Sequence, residues 1–292
     1  MSKYDYIIAD IRLRSERDIV QMGLGSFAPF AAPAGEAQAD CTLHFEPSIA
    51  SCESKCKLSE SYLAETDADS LFYATNDGYL YTITRRCEPT KSYTLHISRQ
   101  TKRIATDIEP HSNMDIAILR FGIWVMLGVV LAEHKAIAIH SSTIVSEGRG
   151  ILFLGESGTG KSTHTRLWRE SIEGATLLND DSPIVRIVDD EVRVYGSPWS
   201  GKTPCYKSEY YPVAGFCRLS QAPHNPIKRL QPLMAIGALL PSCPPIFAHD
   251  EHLQDLICST IGEIVGSVGV YHLECLPNSE AAELSFNTII RG

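Results

Sequence analysis

The sequence predicts an α/β protein with an α+β tendency, in which a β-rich N-terminal region precedes a domain built on a mixed β-sheet. Three features indicate this class. Short apolar strand patterns dominate the first hundred residues, a helix pattern covers 112–133, and a strand, a glycine-rich loop and a helix follow one another over 151–171. We therefore expect two domains, 1–110 and 111–292, of which the first shows no catalytic pattern.

The N-terminal region is expected to consist of strands joined by turns. Asn76-Asp77-Gly78 lies between two apolar runs and is a strong hairpin signal. Residues 28–39 are rich in Ala, Pro and Gly, which indicates a loop. The expected strands are 6–9, 42–45, 71–74, 79–83 and 93–97.

A helix is expected to begin at Ser112, whose hydroxyl can cap the first turn while Asp115 completes a capping box, and to end near Glu133. Residues 136–145 are then expected to form one strand, followed by a turn at 147–150 and a buried strand at 151–154. So short a connection predicts a hairpin. The strand that carries His140 would therefore run antiparallel beside strand 151–154.

Residues 155–163, Gly-Glu-Ser-Gly-Thr-Gly-Lys-Ser-Thr, match a complete phosphate-binding loop, the Walker A motif or P-loop. A strand before this loop and a helix pattern after it allow backbone N–H groups to surround the oxygens of a polyphosphate. In the motif, Lys161 neutralises the outer phosphates and Ser162 reaches Mg²⁺. The alternative, a plain glycine-rich turn, gives these two residues no function. The candidate nucleotide-binding residues are Gly155, Glu156, Ser157, Gly158, Thr159, Gly160, Lys161, Ser162 and Thr163.

The apolar strand 175–181 ends in two adjacent carboxylates, Asp180 and Asp181. The acidic Mg²⁺ ligand of phosphate-loop proteins lies at the carboxyl end of a strand near the loop. One carboxylate suffices for magnesium, and the other can accept the proton of an attacking hydroxyl. Alone, these residues with Asn179 and Ser182 would indicate a turn. Together with the loop, they indicate a phosphoryl-transfer site.

His140-Ser141-Ser142, the loop and the Asp180-Asp181 pair together resemble the superfamily of HPr kinase/phosphorylase and ATP-dependent phosphoenolpyruvate carboxykinase. HPr kinases have a His before a loop of this form and a leucine-rich strand that ends in Asp-Asp. The resemblance covers 136 to about 190 and looks closer to the HPr kinases because the chain is short. It implies the mixed-sheet P-loop core of this superfamily, with ATP and Mg²⁺ as cofactors.

Carried over by position, the resemblance implies a role for each of five residues. Lys161 would bind the β- and γ-phosphates, and Ser162 would hold the metal together with Asp181. Asp180 would be the general base, and His140 would lie near the transferred phosphoryl group.

Three residues downstream of the resemblance are candidate substrate contacts. Trp199, in a loop rich in Gly and Pro, would stack on a base or on the substrate, or else be tucked into the core. Lys202 would contact phosphate, and Arg218 would face the acceptor or phosphate, or else belong to a solvated rim. Residues 196–230 hold five basic residues and one acidic residue, a balance that suits an anion.

The remaining sequence predicts two helices, 251–266 and 279–290, with a strand at 268–275 between them, after a segment punctuated by prolines over 204–245. His249-Asp250-Glu251-His252 is interpreted as a helix start rather than a metal site. Cys52 and Cys56 are the nearest approach to a metal-binding pair, and the odd total of nine cysteines without a Cys-x-x-Cys motif indicates reduced thiols.

Composition excludes several classes of protein. A formal net charge of −9 argues against a general nucleic-acid binder. The longest apolar run, 121–132, is too short to span a bilayer, and the N-terminus lacks the pattern of a signal peptide. We therefore expect no membrane association and a cytoplasmic location.

The leading hypothesis is a Mg-ATP-dependent kinase that transfers the γ-phosphate to a hydroxyl, a Ser of a protein or peptide, with Asp180 as general base. One alternative is a carboxykinase-like transfer to a small carboxylated metabolite. Another is a nucleotide-binding sensor that has lost catalysis. The sequence leaves open the acceptor, the nucleotide base and whether the chain forms a homo-oligomer.

Overall fold

The computed structural model describes residues 3–49 and 54–292, and the chain divides into two compact units. The first comprises Met1–Glu133 and Pro245–Gln254, and the second comprises His134–Pro244 and Asp255–Gly292. Each unit contains a mixed β-sheet, so the mixed α/β class predicted from the sequence is confirmed. The division differs from the predicted one after residue 110, since the helix that ends at Glu133 belongs to the first unit.

The first unit contains a nine-stranded sheet in the order β3-β1-β2-β4-β9-β8-β7-β6-β5, with parallel pairing of β4 to both β2 and β9. All five predicted strands are present, and the turn at Asn76 and Asp77 joins β6 to β7 as an antiparallel hairpin. The predicted loop 28–39 is only partly a loop, because a 3-10 helix, Gly25–Phe30, and β3 extend into it. The strands are β1 (Tyr4–Ile8), β2 (Ile11–Ser15), β3 (Ala31–Ala32), β4 (Cys41–Phe45), β5 (Lys55–Leu63), β6 (Ala68–Thr75), β7 (Gly78–Arg85), β8 (Ser92–Ser98) and β9 (Arg103–Thr106).

Helix α1 (Asn113–Glu133) follows the sheet of the first unit. The predicted Ser112 cap is present, because the Asp115 N–H donates to Ser112 Oγ at 3.2 Å, but the box is not completed as predicted: the Asp115 carboxylate accepts the hydroxyl of Ser112 at 2.9 Å and the N–H of His111 at 3.1 Å rather than the N–H of Ser112. The full helix is long and apolar enough to cross a membrane, unlike the run 121–132 considered alone, yet 61% of its most apolar stretch is buried in the protein. Core helices of soluble proteins pass the same test.

The segment from His249 to His252 starts a helix, as the sequence predicts. Asp250 Oδ1 accepts the N–H of Leu253 at 2.9 Å and the hydroxyl of Tyr79 at 2.8 Å, and α4 begins at Glu251. Across 3–49 and 54–292, no cluster of three or more His, Cys, Asp or Glu side chains has the arrangement of a metal site. Cys52 lies outside the described residues, so the pair with Cys56 is not described.

The second unit contains the sheet that carries the phosphate-loop motif. Its central path runs β13-β11-β12-β16-β18-β17, and the first residues of β16 also pair with β15, which leads on to β14 and β10. The strands are β10 (Ala136–Ala138), β11 (Ser141–Ser146), β12 (Arg149–Leu154), β13 (Thr176–Asp181), β14 (Ile184–Val188), β15 (Glu191–Tyr195), β16 (Tyr210–Gln221), β17 (Ile227–Arg229) and β18 (Gly269–Cys275). The helices are α2 (Lys161–Ser171), α3 (Pro232–Leu239), α4 (Glu251–Ser267) and α5 (Ser279–Phe286), which continues into a π-helical turn at Asn287–Arg291.

Strand β11 lies antiparallel between β12 and β13, so the predicted hairpin with the phosphate-loop strand is confirmed. The predicted single strand 136–145 is wrong in one respect. It is interrupted at Ile139 and His140, where β10 pairs with β14 and β11 pairs with β12 and β13. The interruption places His140 immediately before β11, at the end of the sheet where β12 and β13 finish.

Helix α2 packs on one face of this sheet through an aromatic cluster. Trp168 is fully buried, and its ring contacts Phe153 of β12 and Phe286 of α5 at centroid distances of 5.6 Å each. Leu167 is also buried, as the sequence predicts for the inner face of this helix. This packing holds α2 against β12, the strand that precedes the loop.

Candidate phosphate-binding site

The phosphate-loop motif forms the turn between β12 and α2. Gly155, Gly158 and Gly160 all have positive φ, and the space beside Gly158 and Gly160 is open. Gly160 is the N-cap residue of α2, and no side chain of the described chain caps this helix. The first backbone N–H groups of α2 are therefore available to an anion, as a phosphate-binding helix N-terminus requires.

Lys161 turns back over the loop toward His140. Its Nζ donates to the carbonyl oxygen of Gly155 at 2.7 Å and lies 3.0 Å from Nε2 of His140. Burial lowers the pKa of Lys161, and the nearby carboxylates of Asp181 and Asp180 partly offset this effect. The ammonium group is thus held at the loop without a carboxylate in direct contact.

The two adjacent carboxylates face different partners. Asp180 is buried, and its Oδ1 accepts a long hydrogen bond of 3.4 Å from Ser162 Oγ. The side chain of Asp181 is 44% exposed, and its Oδ1 lies 3.1 Å from Nδ1 of His140. Alternation along β13 therefore directs one carboxylate toward the hydroxyl of the loop and the other toward the histidine.

The backbone at Asp181 is unusual. Its φ is +141°, which L-residues rarely adopt, and it forms an isolated bridge with Ser200. The N–H of Gly201 and the hydroxyl of Ser200 both donate to the carbonyl oxygen of Asp180. The segment after β15 thereby fixes the end of β13, and such strained positions recur at functional sites.

Asn179 is a structural residue of the site that sequence reasoning interpreted only as part of a possible turn. It is fully buried, its amide donates to the carbonyl oxygen of Trp199 at 2.9 Å, and its Oδ1 accepts the N–H of Ser182 at 2.9 Å. These bonds join β13 to the segment 197–205. The signal available in the sequence was a polar amide residue that directly follows an apolar strand pattern, where a buried side chain would need hydrogen-bond partners.

The three candidate substrate residues lie in different environments. Trp199 is only 8% exposed, so it has the buried placement that the sequence left as the alternative to stacking on a base or substrate. Lys202 is exposed on the loop after Trp199. Arg218 is partly buried on β16, where its Nη1 donates to the carbonyl oxygen of Ala238 at 3.4 Å.

A cavity of about 590 Å³ adjoins the loop on the side of α2. Gly158, Gly160 and Thr163 form its border with the loop, and the ends of β16 and β18 form its far wall. Gln221 at the end of β16 donates to the carbonyl oxygen of Gly158 at 3.4 Å. A nucleoside bound through its phosphates to the loop would have this cavity within reach.

Comparison with known proteins gives a structural likeness. No known family profile matches the chain, and no curated protein matches it. Among solved structures it is similar to the HPr(Ser) kinase/phosphatase from Coxiella burnetii, with 13% sequence identity over 52% of this chain and 92% of that one. The TM-score is 0.30.

Proposed function

We propose that the chain is a Mg-ATP-dependent phosphotransferase of the HPr-kinase-like group, which transfers a phosphoryl group to a hydroxyl. One observation carries the proposal. The loop, His140 and the Asp180-Asp181 pair, which are separate in the sequence, meet at one edge of one sheet, with contacts of 3.0 to 3.4 Å between their side chains. A plain glycine-rich turn would not require any of these contacts.

The residues present fit a nucleotide and a magnesium ion. The open, uncapped N-terminus of α2 offers N–H groups to phosphate oxygens, and Lys161 adds a positive charge beside them. Two oxygens that share one octahedral Mg²⁺ lie about 3 Å apart, and Ser162 Oγ and Asp180 Oδ1 are 3.4 Å apart. When bound, ATP and Mg²⁺ supply the phosphoryl group and neutralise part of its charge.

The resemblance implies that Asp180 is the base and Asp181 the metal ligand. These distances lead us to exchange the two roles. Asp180, which is buried beside Ser162, is assigned to the metal. Asp181, which is partly exposed, is assigned as the base that accepts the proton of the acceptor hydroxyl. A base must reach its substrate, whereas a metal ligand can be buried.

His140 and Lys161 complete the arrangement. The ammonium of Lys161 can only donate a hydrogen bond, so Nε2 of His140 accepts it, and the proton of the neutral ring is on Nδ1, facing Asp181. His140 thus positions the proposed base and the phosphate-binding lysine relative to each other. Lys161 would neutralise the charge that develops on the transferred phosphoryl group.

We propose a Ser hydroxyl of a protein or peptide as the acceptor, with a small carboxylated metabolite as the alternative. The partly exposed carboxylate of Asp181 is compatible with either. A nucleotide sensor without catalysis would need the loop and the metal ligands but would not need a second carboxylate held by a histidine. The contact between His140 and Asp181 therefore favours catalysis over sensing.

The test is transfer of label from γ-labelled Mg-ATP, with the purified full chain and a lysate of its source, for the wild type, Asp180→Asn and Asp181→Asn. We expect label in an acceptor fraction with the wild type, and loss of that label in Asp181→Asn with nucleotide binding retained. Label in a protein or peptide fraction would identify the kinase activity, and label in a small molecule would favour the alternative acceptor. Nucleotide binding without transfer to any fraction would contradict the proposal and favour a sensor.

A further inference from the structure

The sheet of the second unit carries a row of basic side chains on the face opposite α2. Arg218 of β16, His272 of β18 and Lys228 of β17 are direct partners across three adjacent strands. Their neighbours Leu219, Leu273 and Ile227, also direct partners, pack into the core against α2. Because side chains alternate along a strand, the three basic residues point together to the other face.

The charge in this row is not balanced by ion pairs. Within the described ranges, no carboxylate lies within ion-pair distance of Arg218 or Lys228. Glu274 is the acidic residue whose charge acts on His272. Burial lowers the pKa of His272, the charge of Glu274 opposes this, and the charges of Lys228 and Arg218 add to it. The partly buried guanidinium of Arg218 has a long hydrogen bond to the carbonyl oxygen of Ala238, and an anion would stabilise its charge further.

A hydrogen bond orients the middle of the row. Ser220 Oγ lies 2.8 Å from Nε2 of His272, and Ser220 is on the same face of β16 as Arg218. The imidazole is therefore held between the two strands that contribute Arg218 and Lys228. A guanidinium, an ammonium, an imidazole and a hydroxyl in one row are the groups that bind carboxylate or phosphate.

The row lies beside the phosphate loop. Arg218 is the register partner of Leu154, the last residue of β12 before Gly155, and paired strands lie about 5 Å apart. Strands β12, β16 and β18 are parallel, so their carboxyl ends share one edge. An anion bound by Arg218 would therefore be one strand away from a phosphoryl group on the loop.

We propose that Arg218, Lys228 and His272 form an anion subsite that binds the negatively charged group of the acceptor, a carboxylate or a phosphate. The inference rests on the proposed function, since it names the chemistry of the acceptor for that reaction. It places the recognition of the acceptor on β16, β17 and β18, and the proton transfer at the end of β13. A purely structural role for Arg218, as a donor to the carbonyl of Ala238 near the end of α3, is the competing explanation.

The test uses sulfate as a phosphate-like probe and acetate as a carboxylate probe on the full chain, followed by NMR of the His272 ring near neutral pH. Sulfate is titrated with and without saturating Mg-ADP, so that binding to the loop is separated from binding to the row. We expect saturable shifts of His272 in the wild type. Arg218→Gln should weaken that binding by about tenfold or more, as expected for charge-assisted hydrogen bonds. Arg218→Lys should retain part of the affinity.

Arg166→Gln is the matched control, because Arg166 is an exposed arginine of α2 paired with Glu170. It should leave the affinity unchanged. Binding of sulfate alone would identify a phosphate-like group, and binding of acetate alone a carboxylate. If neither probe shifts His272, or if Arg218→Gln lowers the melting temperature without changing the affinity, the subsite is wrong. Mg-ADP binding, measured separately by calorimetry, reports on the proposed function independently of these outcomes.

Discussion

The Nζ atom of Lys161 lies 3.0 Å from Nε2 of His140, while Nδ1 of the same ring lies 3.1 Å from a carboxylate oxygen of Asp181. The imidazole thus joins the positive charge of the phosphate loop to the carboxylate at the end of β13. Strand β11 makes this possible, because it runs antiparallel between β12 and β13 and brings its first residues to the edge where both neighbours end.

Lys161→Met should weaken the binding of Mg-ATP by roughly 10-fold to 100-fold, since it removes a charged donor to the phosphates. Isothermal titration calorimetry measures the effect. Lys135→Met is a matched control, because Lys135 is an exposed lysine of the same unit that pairs with Glu263. Equal affinities for Lys161→Met and the wild type would exclude Lys161 from nucleotide binding.

The Asp180→Asn and Asp181→Asn variants should separate metal binding from base catalysis. Asp180→Asn should raise the Mg²⁺ concentration needed for tight nucleotide binding, because Asp180 contacts Ser162. Asp181→Asn should leave that concentration unchanged and lower phosphoryl transfer by about 100-fold or more. Titration of nucleotide binding with Mg²⁺ requires no knowledge of the acceptor. The opposite pattern would restore the assignment that the sequence resemblance implies.

Gly160→Ala should disrupt the loop, because Gly160 has φ of +104° and a Cβ there strains the backbone by about 1 kcal/mol or more. We expect weaker nucleotide binding and a lower melting temperature. Gly262→Ala is the control. Gly262 lies within α4 with open space beside it, so alanine should stabilise the helix by about 0.5–1 kcal/mol. A Gly160→Ala chain that binds nucleotide like the wild type would show that the left-handed turn is dispensable.

His164 should make the second unit sensitive to acid. Burial lowers its pKa from 6.5 to about 4, and Trp168 Nε1 donates to its Nε2, which keeps the ring neutral. Between pH 4 and pH 6.5 the unfolded chain binds a proton at this histidine and the folded chain does not. The contribution of His164 to the free energy of unfolding is therefore fully present above about pH 6.5 and is lost as the pH falls to about 4. The loss is up to about 3 kcal/mol. Urea unfolding at several pH values measures this loss. The free energy of unfolding of His164→Gln should depend less on pH over this range. If the variant keeps the pH dependence of the wild type, other groups cause it.

Asn179→Ala should destabilise the protein by about 2–3 kcal/mol, because the partners of the lost amide are left unsatisfied in a buried place. Chemical denaturation measures the effect. Asn287→Ala, at an exposed position just after α5, should change stability by less than about 0.5 kcal/mol. If both variants have the same free energy of unfolding, the hydrogen bonds between β13 and the segment 197–205 contribute little to stability.

The sequence predicted those elements whose signals are local. The Ser112 cap of α1, the hairpin at Asn76 and Asp77, and the strand, loop and helix around 155–163 all have motifs within a few residues. The antiparallel position of β11 also followed from the short turn at 147–150. These features depend on turn and capping chemistry, which the chain carries in the immediate sequence.

The features that the sequence did not predict depend on pairing between strands that are distant in the chain. Strand β16 is 12 residues long and contains Pro212, so its sequence was interpreted as part of a proline-punctuated segment. Pro212 lies where β16 leaves its pairing with β15 and begins its pairing with β12, and the strand is formed by neighbours far away in the sequence. The partners of Asp180 and Asp181 could not be predicted either, because alternation distinguishes two faces but does not say which face carries Ser162 and which carries His140.

The contact between Gly201 and the end of β13 restricts what residue 201 can be in any related chain. A Cβ at Gly201 would lie 3.0 Å from the carbonyl oxygen of Asp180 and 3.2 Å from Cβ of Asp181, so alanine there would require the end of β13 to move by a few tenths of an ångström. The glycine twenty positions after the second aspartate is thus a feature of the candidate site that the Walker A motif does not contain. Under the proposed function, a bulkier residue at this position should impair the transfer of phosphate more than the binding of nucleotide, because the contact is with the strand that carries the carboxylates and not with the loop.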